Sequence, residues 1–214
     1  LSAERGNELV DPYLSGAEIF DDWKISNLTN LDLFEAGMLL QASGELSIAE
    51  RFWTHLAESL DREEAGQLGQ ATLEMEQPHL AVMISKRAAR RGIVLHASYY
   101  PLHPLIRIDL PMAPEMNLAI ARRESEFDPS VQSGAGARGL MQVMPFWLDE
   151  LERPDDNLFE IDINLRMGCT ILKHYMDRES GDMTRALARY NGSYGETWYS
   201  EKVLGRLSNK WFRN

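Results

Sequence analysis

Apolar side chains recur every four residues over much of this chain, and this spacing limits the folds that it can adopt. Two runs show the pattern most clearly: Ile48, Phe52, Leu56 and Leu60, and then Ile163, Met167, Ile171 and Tyr175. Residues four apart lie on one face of an α-helix, so each run predicts an amphipathic helix. The helical runs are joined by short turns, and no stretch signals a strand. The sequence therefore predicts an all-α fold.

The first hundred residues predict a series of short helices. Residues 1–15 lack periodicity and are expected to be poorly structured. The predicted helices cover about 17–25, a stretch from a Thr29 or Asn30 cap to Gly44, the run ending at Leu60, a helix that starts at Asp61, and one from Pro78 to Gly92. Short helices with short connections favour antiparallel hairpins stacked in a superhelical, tetratricopeptide-like array, although the internal repeat is weak.

A further helix is predicted from Pro114, because proline is accepted in the first turn. Met116, Ile120 and Glu124 follow one another at four-residue spacing, so Glu124 lies on the apolar face of this helix. A carboxyl group held against apolar side chains resists ionisation, and its pKa rises. Glu124 is therefore predicted to keep a proton near neutral pH and to act as a general acid.

The segment after Glu124 is predicted to be a tight loop. Asp128 precedes a proline and is expected to end the helix there, and glycines follow at 134, 136 and 139. Gln142 then stands alone in an apolar run that ends at Met144. A buried amide without partners costs about 1–3 kcal/mol. A polar ligand could supply those partners.

The C-terminal part predicts three more helices. One covers Phe146 to Leu151, a long one runs from an Asp162 cap to Arg178, and one over 183–190 ends with Tyr190 and Asn191 before Gly192. The closing segment, from Tyr199 through Leu207 to Trp211, is predicted to be a helix that packs its aromatic rings on the domain. His103 is interpreted as a surface or packing residue, and the single Cys169 as a small core side chain on a helix.

Composition excludes several classes of protein. The chain has 214 residues, of which 44% are hydrophobic and 26% charged, as in an ordinary globular protein. The net charge is −11, and neither half has a basic excess, which argues against nucleic acid as a partner. No run approaches the roughly 20 apolar residues of a membrane span. No signal peptide is recognisable at the start of the chain.

Three separated segments resemble one protein family. Residues 121–125 read Ala-Arg-Arg-Glu-Ser, residues 133–142 read Ser-Gly-Ala-Gly-Ala-Arg-Gly-Leu-Met-Gln, and residues 188–191 read Ala-Arg-Tyr-Asn. In this order they resemble the soluble lytic murein transglycosylases, whose patterns are Ala-Arg-Gln-Glu-Ser, Ser-x-x-Gly-Ala-x-Gly-Leu-Met-Gln and Ala-Tyr-Asn. The resemblance implies a lysozyme-like catalytic domain over residues 98–214, preceded over residues 1–97 by a helical hairpin segment of a longer superhelix.

The resemblance also implies a reaction and a location. Family members cleave peptidoglycan between N-acetylmuramic acid and N-acetylglucosamine without water, and they leave 1,6-anhydro ends. One glutamate, here Glu124, is the acid and then the base, and the acetamido group of the substrate replaces a protein nucleophile. The expected location is the periplasm, and the expected partners are glycan strands, with other cell-wall enzymes as further candidates for the helical segment. No metal and no cofactor is expected.

Five further residues match family positions that bind the substrate or assist the acid. Ser133 matches a serine near the acetamido group, Gln142 a sugar-binding residue, and Tyr190 a tyrosine whose hydroxyl faces the acid. Met144 is expected either to fill the core or to line the groove as a substrate-binding residue, and Asn191 to bond the backbone of the acid or the glycan. The chain departs from the family pattern at Arg123, which stands for the usual Gln, and at residues 192–195, which read Gly-Ser-Tyr-Gly instead of Ala-Gly-x-Gly.

Two alternatives remain open at the level of sequence. A hydrolytic muramidase would use the same acid and release reducing ends. An inactive glycan-binding or scaffolding protein would keep the fold without the reaction.

Overall fold

The computed structural model describes residues 16–206 of the chain. The predictions for residues 1–15 and for Leu207 and Trp211 lie outside this range. The described residues are helical, as predicted, with two isolated β-bridges, both at Arg138, as the only bridges in this part of the chain. They fall into two compact units that divide between Leu102 and His103.

The first unit contains five α-helices and two 3₁₀ turns. The 3₁₀ turns are Trp23–Ile25 and Asn27–Asn30, and the helices are α1 (Asp32–Ala42), α2 (Leu46–Leu56), α3 (Arg62–Glu74), α4 (Pro78–Ala89) and α5 (His96–Tyr99). The start of α3 after Asp61 is confirmed. The Asp61 carboxylate accepts a hydrogen bond from Glu64 N, and the Glu64 carboxylate accepts one from Asp61 N, which together form a capping box.

Four predictions for this unit are wrong. The helix over 17–25 is absent, because the side chains of Asp22 and Ser26 each cap a separate 3₁₀ turn and Ser26 is extended between them. The N-cap of α1 is Leu31 and not Thr29 or Asn30. Helix α2 ends at Leu56 and not at Leu60.

The buried face of α2 is shifted from the predicted one. Leu56 is buried as predicted, but Ile48 is 38% exposed while Trp53 is fully buried. The indole fits against Gly37, where an added Cβ would lie 2.1 Å from Trp53 Nε1, and this fit fixes the face of α2.

The second unit contains a 3₁₀ turn at Pro104–Arg107 and five α-helices. The helices are α6 (Pro114–Glu124), α7 (Phe146–Glu150), α8 (Ile161–Arg178), α9 (Met183–Asn191) and α10 (Trp198–Arg206). Gly192 ends α9 with a φ of 77°, as predicted. Asp162 is not the cap of α8, because the capping position belongs to Glu160 and Asp162 lies in the first turn, where it pairs with Arg166.

His103 and Cys169 both have packing roles in this unit, in agreement with the predictions. His103 is buried, and its ring lies 5.3 Å from that of Phe127. Cys169 is fully buried on α8, and burial raises the pKa of its thiol to about 12. No helix between residues 16 and 206 combines the length and the apolar character needed to cross a membrane.

Candidate functional site

Glu124 is the last residue of α6, and the structure places it where the sequence predicted. Met116 and Ile120, one and two turns earlier, are buried in the core of the second unit. The Glu124 carboxyl is half-buried at the end of this apolar stripe. Burial raises its pKa above the ordinary value of a glutamate, while a hydrogen bond from Tyr199 and the charge of Arg123 act in the opposite direction.

The helix ends at Glu124, four residues earlier than predicted from Asp128. Ser125 occupies the C-cap, and the next two residues, Glu126 and Phe127, have positive φ values of 54° and 69°. Two consecutive side-chain-bearing residues in the left-handed region are strained, and such strain concentrates at functional sites. The buried guanidinium of Arg122 lies 3.2 Å from the Glu126 carboxylate and holds this turn.

Tyr199 is the functional residue that the sequence analysis missed. Its hydroxyl donates a short hydrogen bond to Oε1 of Glu124. The phenol is buried on α10, and burial together with the nearby Glu124 holds its pKa well above the ordinary value, so that it stays a donor. The closing segment was predicted to return aromatic rings to the domain, but no local pattern distinguished Tyr199 from its neighbours.

Tyr190 has a different partner from the one predicted. Its hydroxyl donates to the carbonyl oxygen of Met141 at 2.7 Å and does not orient the Glu124 carboxyl directly. Burial raises the pKa of Tyr190 well above its ordinary value, and the charge of Glu124 raises it further. Tyr190 thus secures the loop beside the acid, and Tyr199 holds the acid itself.

The loop from 131 to 143 is held to the end of α6. The Ser125 hydroxyl donates to Leu140 O at 2.8 Å. Within the loop, Ser133 Oγ accepts a hydrogen bond from Ala137 N at 3.0 Å, as serine hydroxyls commonly do in turns. Gln142 donates from Nε2 to Val131 O and to Gly139 O at 3.2 and 3.0 Å, so the backbone supplies the partners that the sequence left open.

Asn164 on α8 fixes the same loop from the other side. Its side chain is buried, accepts from Met141 N at 2.7 Å, and donates to Arg138 O and Leu158 O at 2.8 and 2.7 Å. The fit is tight at Gly139, where an added Cβ would lie 2.4 Å from Leu158 O. The loop that carries Gln142 is therefore positioned by two hydrogen bonds with one amide, whose third bond holds it to Leu158.

The remaining predicted residues lie at the edges of this region. Met144 is half-buried after the loop, and Asn191 is exposed at the end of α9. Asn191 lines a pocket of about 400 Å³ together with residues of the following segment. The pocket lining consists of Asn191, Gly192, Ser193, Tyr194, Glu196 and Trp198.

Other carboxylates next to Glu124 in sequence have structural partners. Glu126 pairs with Arg122, and Asp128 accepts from the backbone N and the hydroxyl of Ser130 at 2.8 and 2.7 Å. Asp128 thus caps a turn. Among residues 16–206, no group of three or more His, Cys, Asp or Glu side chains is placed to hold a metal ion.

Comparison with known proteins relates this geometry to one family. The family model "Transglycosylase SLT domain" matches residues 111–210. The soluble lytic murein transglycosylase of Salmonella typhimurium is 34% identical over 101 residues, which cover 42% of this chain and 15% of that protein. The membrane-bound lytic murein transglycosylase F of Desulfosudis oleivorans is 32% identical over 106 residues, which cover 45% of this chain and 23% of that protein.

Solved structures share the fold. The 70 kDa soluble lytic transglycosylase of Escherichia coli matches 98% of this chain with a TM-score of 0.72 and 22% identity. An inactive glutamate-to-glutamine mutant of the lytic transglycosylase Slt from Pseudomonas aeruginosa matches 99% with a TM-score of 0.69 and 23% identity. The chain spans about a third of each of these structures. Residues 111–210 of the chain therefore match an SLT transglycosylase domain.

Proposed function

We propose that this chain is a lytic transglycosylase that cleaves peptidoglycan at the β-1,4 bond between N-acetylmuramic acid and N-acetylglucosamine. The observation that carries the proposal is the environment of the Glu124 carboxyl. Its carboxyl lies at a strained helix end, its pKa is raised by burial, and a buried phenol binds one of its oxygens. A general acid that must hold a proton near neutral pH needs such surroundings.

The proposed reaction uses Glu124 twice. The protonated carboxyl gives its proton to the glycosidic oxygen as the bond from that oxygen to C1 breaks, and the acetamido oxygen of the muramyl residue forms a bond to C1. The carboxylate then takes the proton of the C6 hydroxyl, and O6 displaces the acetamido oxygen at C1. A 1,6-anhydro ring results, no water is consumed, and Glu124 is protonated again.

The surroundings of Glu124 favour this single-acid course. Tyr199 binds Oε1, which leaves Oε2 as the oxygen that exchanges the proton with the substrate. The neighbouring Glu126 and Asp128 are held in an ion pair and a turn cap, so neither is available as a nucleophile. The family relative from Pseudomonas aeruginosa, which is inactive as a glutamate-to-glutamine mutant, is consistent with one essential acid.

The proposed sugar contacts use side-chain donors and acceptors that the hydrogen bonds within the loop do not occupy. Ser133 Oγ already accepts one bond from Ala137 N, and its O–H remains to donate to the acetamido carbonyl. Gln142 uses its NH₂ group on two backbone carbonyls, so its amide oxygen is the group that accepts from a sugar hydroxyl. Met144 and Asn191 would line the groove, and Tyr190 would hold the loop at Met141.

The proposal extends to the organisation of the chain. Residues 98–214 would form the lysozyme-like catalytic domain, and residues 1–97 the last helical hairpins of a superhelical segment. The murein named for the relatives supports a location outside the cytoplasm, and we propose the periplasm. Glycan strands are the proposed partner, and other cell-wall enzymes are the candidates for binding the helical segment.

Product analysis on purified murein sacculi tests the proposal. We expect mass spectrometry to show muropeptides that are one water lighter than the products of hydrolysis, because O6 replaces water at C1. Products with reducing ends would identify a hydrolytic muramidase instead. If sacculi were bound without release of any product, the chain would be a glycan-binding or scaffolding protein.

A further inference from the structure

The segment between α9 and α10 carries a pocket with an unusual polar feature. The pocket holds about 400 Å³, and Ser193 is one of its lining residues. The Ser193 hydroxyl oxygen is buried and has no hydrogen-bond partner within the described part of the chain. Such a group is unfavourable in a protein unless something else binds it. Rotation about one bond of this side chain is enough to offer the hydroxyl to a ligand in the pocket.

The next residue, Tyr194, supplies the pocket with a fixed aromatic ring. The guanidinium of Arg189 lies over the ring at 3.8 Å from its centroid. Arg189 is itself held by an ion pair with Glu179, whose side chain is only 7% exposed. Arg189 thus covers one face of the Tyr194 ring, and Glu179 at the end of α8 holds Arg189 in place. Tyr194 nevertheless remains 53% exposed. The free surface is a flat apolar platform whose orientation is set before any ligand binds.

The pocket adjoins the candidate active site through Trp198. Trp198 lines the pocket, and its ring packs edge-on against Tyr199, with the centroids 5.8 Å apart. Tyr199 in turn binds Glu124. The guanidinium of Arg123, the residue before Glu124, lies 5.6 Å from the centre of the Trp198 ring. The pocket is therefore linked to Glu124 through two side-chain contacts, from Trp198 to Tyr199 and from Tyr199 to Glu124.

We propose that this pocket is a sugar subsite, in which Tyr194 stacks on the pyranose ring of an N-acetylhexosamine of the glycan strand. This inference rests on the proposed function. A pyranose has an apolar C–H face and a rim of hydroxyl and amide groups, and the pocket offers a matching flat ring beside polar groups. The Ser193 hydroxyl and the Asn191 amide bind the rim. Tyr194 stands at the variable position of the family's Ala-Gly-x-Gly pattern, and Ser193 stands where that pattern has glycine.

Calorimetric titration with the β-1,4 tetramer of N-acetylglucosamine tests the subsite. The titrations use the full chain with Glu124→Gln, so that binding is measured without cleavage. We expect Tyr194→Ala in this background to raise the Kd about tenfold, because a rigid aromatic anchor is lost. Tyr194→Phe keeps the ring and should stay within about twofold. Phe146→Ala is the matched control, because Phe146 is also 53% exposed in the same unit.

Ser193→Ala gives an independent test through stability. We expect the Kd for the tetramer to rise about threefold, while the midpoint of thermal unfolding stays unchanged or rises, because the hydroxyl makes no hydrogen bond in the free protein. A lower midpoint would mean that the hydroxyl has a structural partner and would contradict the proposal. Unchanged tetramer binding in Tyr194→Ala would overturn it.

Failure of the subsite and failure of the proposed function can be told apart. If sacculi give anhydro products and Tyr194→Ala binds the tetramer like its parent, only the subsite is wrong. If sacculi give no products while Tyr194→Ala weakens tetramer binding, the subsite stands and the catalytic proposal falls. In the active protein, Tyr194→Ala should raise KM for murein and leave kcat within about twofold, because the platform binds substrate remote from the reacting atoms.

Discussion

The hydroxyl of Tyr199 donates a hydrogen bond to Oε1 of Glu124, although 75 residues separate the two in the chain. The bond joins the end of α6 to the first turn of α10. It stabilises the ionised form of the carboxyl, while burial stabilises the protonated form. Because the carboxyl has to give and then take a proton in the proposed reaction, this balance bears directly on the rate.

Replacing the proposed acid should abolish cleavage without unfolding the protein. We expect Glu124→Gln to lower kcat on murein by about 100-fold or more, since amide nitrogen cannot supply the proton. The raised pKa means that ionising Glu124 is unfavourable in the folded state, so the variant should unfold at or above the wild-type temperature at neutral pH. Glu150→Gln, at an exposed glutamate of the same unit, is the control. Full activity in Glu124→Gln would exclude this residue as the acid.

The pH profile should report the Tyr199 contact. The acid must be protonated, so the rate falls as pH rises through the raised pKa of Glu124. Tyr199→Phe removes a hydrogen bond that lowers this pKa, and we therefore expect the alkaline limb of kcat/KM to move to higher pH while kcat drops. Tyr190→Phe, which loses a bond to Met141 O instead, should leave the limb in place. A limb that moves to lower pH in Tyr199→Phe would contradict the assigned role.

The loop beside the acid should tolerate an added methyl at one glycine and not at another. Gly139 has a φ of 71°, and a Cβ there would lie 2.4 Å from Leu158 O. We expect Gly139→Ala to destabilise the fold by about 3 kcal/mol, through both strain and overlap. Gly134→Ala is the matched control, because nothing lies within 4 Å of its added Cβ. Chemical denaturation measures both, and equal stabilities would refute the tight fit at Gly139.

Burial of His103 predicts sensitivity to acid. Burial lowers the pKa of His103 from 6.5 to about 4, so the unfolded chain takes up this proton first as pH falls. The neutral His103 imidazole contributes its full stabilisation above pH 6.5. As pH falls from 6.5 to 4, the folded state should lose about 3 kcal/mol of stability. His103→Leu should flatten that part of the stability curve in urea titrations. His174→Gln, at an exposed histidine, serves as the comparison, and an equal slope in wild type and His103→Leu would contradict the prediction.

The sequence by itself determined the helices and the place of the acid. Asp61, Pro78, Pro114 and Gly192 mark helix ends where the structure has them, because caps and terminal turns depend on residues within a few positions. The four-residue spacing that includes Met116 and Ile120 also put Glu124 on an apolar face. Where such local signals conflicted with packing, the pattern assigned Ile48 to the core in place of Trp53.

The tertiary structure decided what Glu124 contacts. Tyr199 and Tyr190 both lie on late helices, and only the packing of α9 and α10 determines that one reaches the carboxyl and the other the Met141 carbonyl. The amide of Asn164 likewise holds a loop that begins more than 20 residues earlier. Periodicity and capping signals extend over one or two turns, whereas these hydrogen bonds join residues 23 to 75 apart, and only the folded core brings such residues together.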